Sequence, residues 1–191
     1  MTTRLYMVRH AESPFAFGQE ETRGLSPEGR EEAKRIVGFF EGVGVDCIAS
    51  SHYTRAVDTV RDLALDRGLP IVEFAELRER AIKGLDYKAP WEELLAAIER
   101  SFTDLDYALA GGETTREAQQ RAVPIIEQLL AQYRGQTIVI GTHGNIMTII
   151  MNYYSAEYGF DFWQQTSKPD IYLMTFDGER LEAVERVWSE R

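Results

Sequence analysis

Three short apolar runs each end in polar residues and lead into a helical pattern, and this repetition constrains the fold more than any other feature. Leu5-Tyr6-Met7-Val8 runs into Arg9-His10, Cys47-Ile48-Ala49 into Ser50-Ser51, and Thr137-Ile138-Val139-Ile140 into Gly141-Thr142-His143-Gly144-Asn145. Runs this short and this apolar predict strands covered on both faces. Ser26 followed by Pro27 marks a helix start, and Ala33, Ile36, Val37 and Phe40 continue it as one stripe. A second helix is expected over about 54–67, where Ala56, Val57, Val60, Leu63 and Ala64 share a face. Another follows Pro90, and Thr114-Thr115-Arg116-Glu117 fits a capping box that opens one more. Pro124 inside that last pattern predicts a kink or local break. Residues 171–176 and 181–187, joined through Asp177-Gly178, read as a terminal hairpin. The expected fold class is α/β: a three-layer sandwich, its central sheet mostly parallel, with helices on both faces and a terminal β-hairpin.

The chain of 191 residues, 44% of them hydrophobic, can bury a core as a single domain without cross-links. Cys47 is the one cysteine, which excludes a disulfide framework and a cysteine-built zinc site. No apolar run reaches the roughly 20 residues of a membrane span, and Met1-Thr2-Thr3-Arg4 does not begin a secretory leader, so a cytoplasmic location is expected. A net charge of −10 argues against nucleic-acid or anionic-membrane partners. The 17 arginines against 4 lysines leave two readings open: compositional bias, or guanidiniums placed to grip an oxyanion.

In parallel sheets ligands gather at the carboxyl ends of strands. Two such ends carry histidines, His10 and His143, and Arg9 and Arg55 stand nearby in sequence or one helical turn beyond Ser50-Ser51. Guanidinium forks for phosphoryl oxygens and a neutral imidazole aimed at phosphorus are the groups that phosphoryl transfer to histidine requires. Residue types and positions alone leave a catalytic pocket and a structural cluster both open.

The wording of the motifs goes further. Met7-Val8-Arg9-His10-Ala11-Glu12-Ser13 resembles the signature of the histidine phosphatase (phosphoglycerate mutase-like) superfamily. The similarity continues, in the family's order, through Leu25-Ser26-Pro27-Glu28-Gly29, Ala49 to Ala56, Leu77-Arg78-Glu79, Gly111-Gly112-Glu113-Thr114 and Thr142-His143-Gly144. The resemblance implies a metal-independent phosphomonoesterase that needs no cofactor and works through a phosphohistidine on His10. Arg9, Arg55 and His143 would hold the phosphoryl oxygens, and Glu79 would donate a proton to the leaving oxygen. Thr142, Ser13 and Arg80 are implied as weaker substrate-side candidates. The substrate would be a small phosphorylated metabolite, and a cap-like segment is expected around 80–112 within a single domain, 1–191. A backbone carbonyl is expected to fix the tautomer of His10.

Some positions depart from the family pattern. Ala11 stands where glycine is usual, and His52, where proline is common, reads as a rim residue. Phe15 and Phe17 either line the pocket or pack their loop. Three rivals share the motifs: a phosphoglycerate mutase-type phosphotransferase, a phosphatase for protein phosphohistidine, and a member that binds a phospho-ligand without turnover. The terminal hairpin offers an edge strand through which an oligomer could form.

Overall fold

The computed structural model describes residues 1–189. In chain order the elements are β1 (Thr2–Arg9), α1 (Pro27–Phe39), β2 (Cys47–Ser51), α2 (Thr54–Arg67), β3 (Ile71–Phe74), a tight helical turn (Ala75–Leu77), α3 (Trp91–Thr103), α4 (Thr115–Gln132), β4 (Thr137–Thr142), α5 (Gly144–Tyr154), α6 (Phe160–Gln164), β5 (Asp170–Asp177) and β6 (Arg180–Arg186). The strands form one sheet in the order β3-β2-β4-β1-β5-β6. The first four run parallel, β5 returns antiparallel to β1, and β6 pairs antiparallel with β5.

Strand alternation sorts the core into two halves. Leu5, Met7, Cys47, Ala49, Ile138 and Ile140 face one side, where α4 and α5 supply Ala118, Ala122, Ile126, Ile146 and Ile150. Tyr6, Val8, Ile48 and Val139 face the other, against Ile36 of α1, Phe40 at its C-terminal cap, and Val60 and Leu63 of α2. Both faces of the sheet are therefore covered, which is why its central strands read as unbroken apolar runs. The layered α/β arrangement is the expected one, with β6 at one sheet edge.

Local signals set the helix ends. Ser26 Oγ accepts from Gly29 N (2.9 Å) and Pro27 begins α1. At α4 the Thr114 and Glu117 side chains cap each other's backbone amides. The expected break at Pro124 does not occur, and α4 runs through it as helix. Pro124 and Gln120, whose carbonyl loses its partner, both lie on the exposed side, so solvent can satisfy the freed acceptor. Among the described residues no helix is long and apolar enough to cross a membrane.

The first turn of α1 fixes the loop that follows β1. Ser26 N donates to Glu12 O (3.1 Å), and a Cβ on Gly29 would lie 2.2 Å from that same oxygen. Gly38, in the same helix, has open space around it. Alanine at Gly38 is expected to stabilise the chain by up to about 1 kcal/mol through helix propensity. Alanine at Gly29 is expected to cost about 1–3 kcal/mol by overpacking. Urea denaturation of the two variants checks this, and equal shifts would show that α1 does not press on the Glu12 backbone.

Candidate active site

Parallel pairing of β1 with β4 aligns Arg9 with Thr142, and His10 N donates to Thr142 O (2.9 Å). Both chains leave the sheet at this point, so the next side chains, His10 and His143, meet with ring centroids 5.3 Å apart. Both are buried. His10 Nδ1 lies 2.7 Å from Ala11 O and donates to it, leaving Nε2 as the lone-pair nitrogen. Arg55 Nε donates to that nitrogen (3.3 Å). The expected backbone carbonyl is thus present, supplied by the neighbouring residue.

Arg55, 1% exposed, enters from the first turn of α2. Its terminal nitrogens donate to Glu20 O and to Glu20 Oε2 (3.0 Å). Arg9 reaches across from β1, where Nη1 donates to Thr166 O (3.1 Å) and to Thr166 Oγ1. Its guanidinium fills the space beside Gly144, where a Cβ would approach Arg9 Cζ to 2.7 Å. The absence of a side chain at Gly144 is what lets Arg9 lie against the start of α5. His143 Nε2 pairs with Ser51 Oγ (2.8 Å) at the end of β2, and Tyr53 packs against both the His143 ring and the Arg55 guanidinium.

Two buried nitrogens of this cluster, Arg9 Nε and His143 Nδ1, have no protein partner, and neither does the Thr142 hydroxyl. A buried unpaired donor costs about 1–3 kcal/mol, which an oxyanion among these groups would relieve.

Glu79 reaches the cluster at the N-terminus of α5. Its carboxylate accepts from Asn145 N (3.1 Å), Ile146 N (2.8 Å) and Arg80 N (3.0 Å), so it sits on the exposed amides of the α5 N-terminus. The structure therefore gathers Arg9, His10, Arg55, Glu79, Thr142 and His143. Ser13 and Arg80 are spent elsewhere. Ser13 Oγ donates to Gly24 O (2.6 Å) and receives Arg23 Nη1 (2.8 Å), which ties the loop between β1 and α1 to itself. Arg80 donates to Thr115 Oγ1 and Asn145 Oδ1 and lies over Phe102. Burial lowers its pKa to about 10.

Sequence reasoning missed Glu20, Arg23, Tyr53, Thr166 and Lys168, which all adjoin the cluster. Tyr53 lies within the Ala49 to Ala56 match and Arg23 stands two residues before Leu25-Ser26-Pro27, but nothing local marked the others. His52 contacts Glu21 (3.5 Å) and Tyr53 at the rim, as expected. Phe15 is 74% exposed, and Phe17 carries the ammonium groups of Lys83 and Lys88 over its ring, each at 5.3 Å.

A sequence profile of the histidine phosphatase superfamily (branch 1) matches residues 5–189. The chain belongs to that superfamily. A metal-independent phosphoserine phosphatase of Arabidopsis thaliana is 28% identical over 160 residues, 78% of this chain and 67% of that protein. A mycobacterial glucosyl-3-phosphoglycerate phosphatase shares the fold, with TM-score 0.75 and 20% identity over 98% of each chain. That protein has also been solved with inorganic phosphate and with VO3. The α-ribazole phosphatase of Shigella flexneri gives TM-score 0.72 and 21% identity over 93% of each chain.

In this histidine phosphatase, burial first and the Arg55 guanidinium second hold both imidazoles well below the usual histidine pKa. Below about pH 6.5 the folded chain therefore binds fewer protons than the unfolded one. The stability this confers is complete above that pH and falls as pH drops towards the depressed folded-state values. Urea midpoints taken from pH 7 to 5.5 are expected to decline in the wild type and to decline less in His143→Gln. Equal slopes would mean that His143 is not held neutral. A second expectation concerns Gly144→Ala, which pushes the Arg9 guanidinium aside. Vanadate affinity is expected to fall about tenfold or more, as for loss of one charge-assisted bond worth about 1.5–3 kcal/mol. Unaltered vanadate binding would remove Arg9 from the anion site.

Proposed function

We propose that the protein is a metal-independent phosphomonoesterase that carries the phosphoryl group on His10. The observation that carries this reading is the fixed tautomer of His10, whose unprotonated Nε2 accepts from Arg55 Nε beside His143. In the first step the Nε2 lone pair forms an N–P bond while the ester P–O bond breaks. Glu79 passes a proton to the departing oxygen. In the second step Glu79 takes a proton from water as the water oxygen attacks phosphorus, and the N–P bond breaks to release phosphate and the free imidazole. Arg9, Arg55 and His143 donate to the equatorial oxygens and stabilise their growing charge. The guanidiniums supply the positive charge that Mg²⁺ provides in other phosphoryl-transfer sites. A site built of arginines around neutral imidazoles also repels a metal cation.

Arg55 now donates to both Glu20 and the nucleophilic nitrogen, so substrate must draw the guanidinium onto its own oxygens. A dianionic phosphoryl group competes well for such a fork. Residues 80–112 serve as a modest cap, whose neck is closed by bonds from Gly84 N to Ala110 O and from Glu113 N to Ala81 O, both 2.8 Å. The named relatives act on a phosphorylated amino acid, a glycosylated phosphoglycerate and α-ribazole phosphate, which supports a small phosphorylated metabolite as substrate.

The partners of three cations outside the cluster, Arg80, Lys83 and Arg116, favour hydrolysis over mutase chemistry. A mutase must grip a second phosphate, yet Arg80 is buried against Thr115 and Asn145, Arg116 is paired with Asp106 (2.6 Å), and Lys83 donates to Gly84 O (2.7 Å) and Tyr87 O. The test is p-nitrophenyl phosphate hydrolysis in EDTA. Activity is expected to withstand the chelator and to drop by about a thousandfold or more in His10→Ala. Loss of activity in EDTA, or a fully active His10→Ala, would overturn the proposal.

A further inference from the structure

Lys168 is a cation on the connection before β5, two residues beyond the Thr166 that holds Arg9, to which neither the sequence motifs nor the chemistry above gives a role. The backbone on both sides of it is fixed. Two residues earlier, Thr166 holds Arg9. Ser167 N donates to Asp170 Oδ2 (2.9 Å), and Ser167 Oγ donates to Pro169 O (2.6 Å). Asp170 is fully buried, stands opposite Arg9 in the β1–β5 register, and also accepts from Tyr172 OH and Arg186 Nε, each at 3.0 Å. This short connection therefore sits rigidly beside the carboxyl end of β1, with the exposed side chain of Lys168 projecting from it.

The other three lysines are engaged: Lys34 with Glu31, Lys83 with two carbonyls, and Lys88 on the Phe17 ring. Lys168, among the described residues, has neither a hydrogen bond nor an ion pair. Its electrostatic neighbours are mostly cations, Arg9, Arg23 and Arg55, with Glu79 opposing them. Partial burial and these guanidiniums lower its pKa, and His10 in turn feels its charge. Glu79 is held on the α5 amides beyond ion-pair distance. Arg23 is already committed to Glu20 and Ser13.

A phosphoryl dianion on Arg9, Arg55 and His143 leaves one positive charge unmatched beside it, and a single ammonium suits a singly charged group better than a second phosphate. We propose that Lys168 reads a carboxylate on the alcohol half of the substrate, so that the site selects carboxylate-bearing phosphate monoesters. This rests on the proposed phosphomonoesterase function and narrows its substrate class. Because Lys168 is exposed, the preference is screened by salt and modest.

The test uses a matched pair of esters, 3-phosphoglycerate and glycerol 3-phosphate, which differ only in a carboxylate against a hydroxymethyl group. Both are titrated calorimetrically into the His10→Ala chain, so that binding is read without turnover. The carboxylated ester is expected to bind about tenfold more tightly at low salt. Adding Lys168→Met should bring the two esters within about twofold of each other, and Lys168→Arg should restore the preference. Equal binding of the pair, no binding of either, or equal weakening of both by Lys168→Met would overturn the proposal. A wild-type chain that binds the pair as expected but hydrolyses no monoester would instead strike the catalytic reading alone.

Discussion

The parallel pairing of β1 with β4 is the constraint on which the site depends. Stretches more than 130 residues apart in sequence are brought to one edge by a ladder that ends with His10 N on Thr142 O. A shift of one residue in that ladder would turn Leu5 and Met7, and with them the whole β1 pattern, from one half of the core to the other. Two separate apolar layers therefore enforce the register, and the register in turn enforces the meeting of the imidazoles. The large burial on both faces of the sheet thus positions the chemistry as well as stabilising the fold.

Around that edge the electrostatics are organised before any ligand arrives. Arg55 is almost wholly buried, and Arg9 is held on Thr166 in the space left by Gly144. Keeping such charges out of water is costly unless they are paired. Glu20 offsets Arg55 directly, and Asp170 and Glu79 act on Arg9 through space. Burial among the remaining positive charge keeps both histidines neutral, the state a nucleophilic nitrogen needs. Fixed donors of this kind need little reorganisation when charge develops on phosphoryl oxygens.

The legible part of the molecule was the part governed by local rules. The end of β1, the Ser26-Pro27 start of α1, the limits of α2 and the Thr114 capping box follow from strand burial, N-cap chemistry and helical periodicity over a few residues. Arg9, His10, Arg55, Glu79 and His143 were legible because they stand at strand ends or in motifs. Glu20, Arg23, Thr166 and Lys168 were not, because they reach the site from irregular loops whose paths depend on distant contacts such as Asp170 with Arg186. Ser13 and Arg80, whose residue types suited a substrate role, make their hydrogen bonds within the loop after β1 and across Thr115 and Asn145. At Pro124 helix continues without a break, because the freed carbonyl lies on the exposed side, which periodicity cannot reveal.

The central claim is that one imidazole nitrogen carries the phosphoryl group between its donor and water. Its most direct test is rapid quenching during turnover of a radiolabelled phosphate monoester, in alkali so that a phosphoramidate survives, followed by proteolysis and mass spectrometry. The account predicts acid-labile, alkali-stable label on the peptide that contains His10, with the phosphoryl group on the imidazole. Label on His143 or on a carboxylate, or turnover without any labelled protein under conditions where the covalent species accumulates, would contradict it.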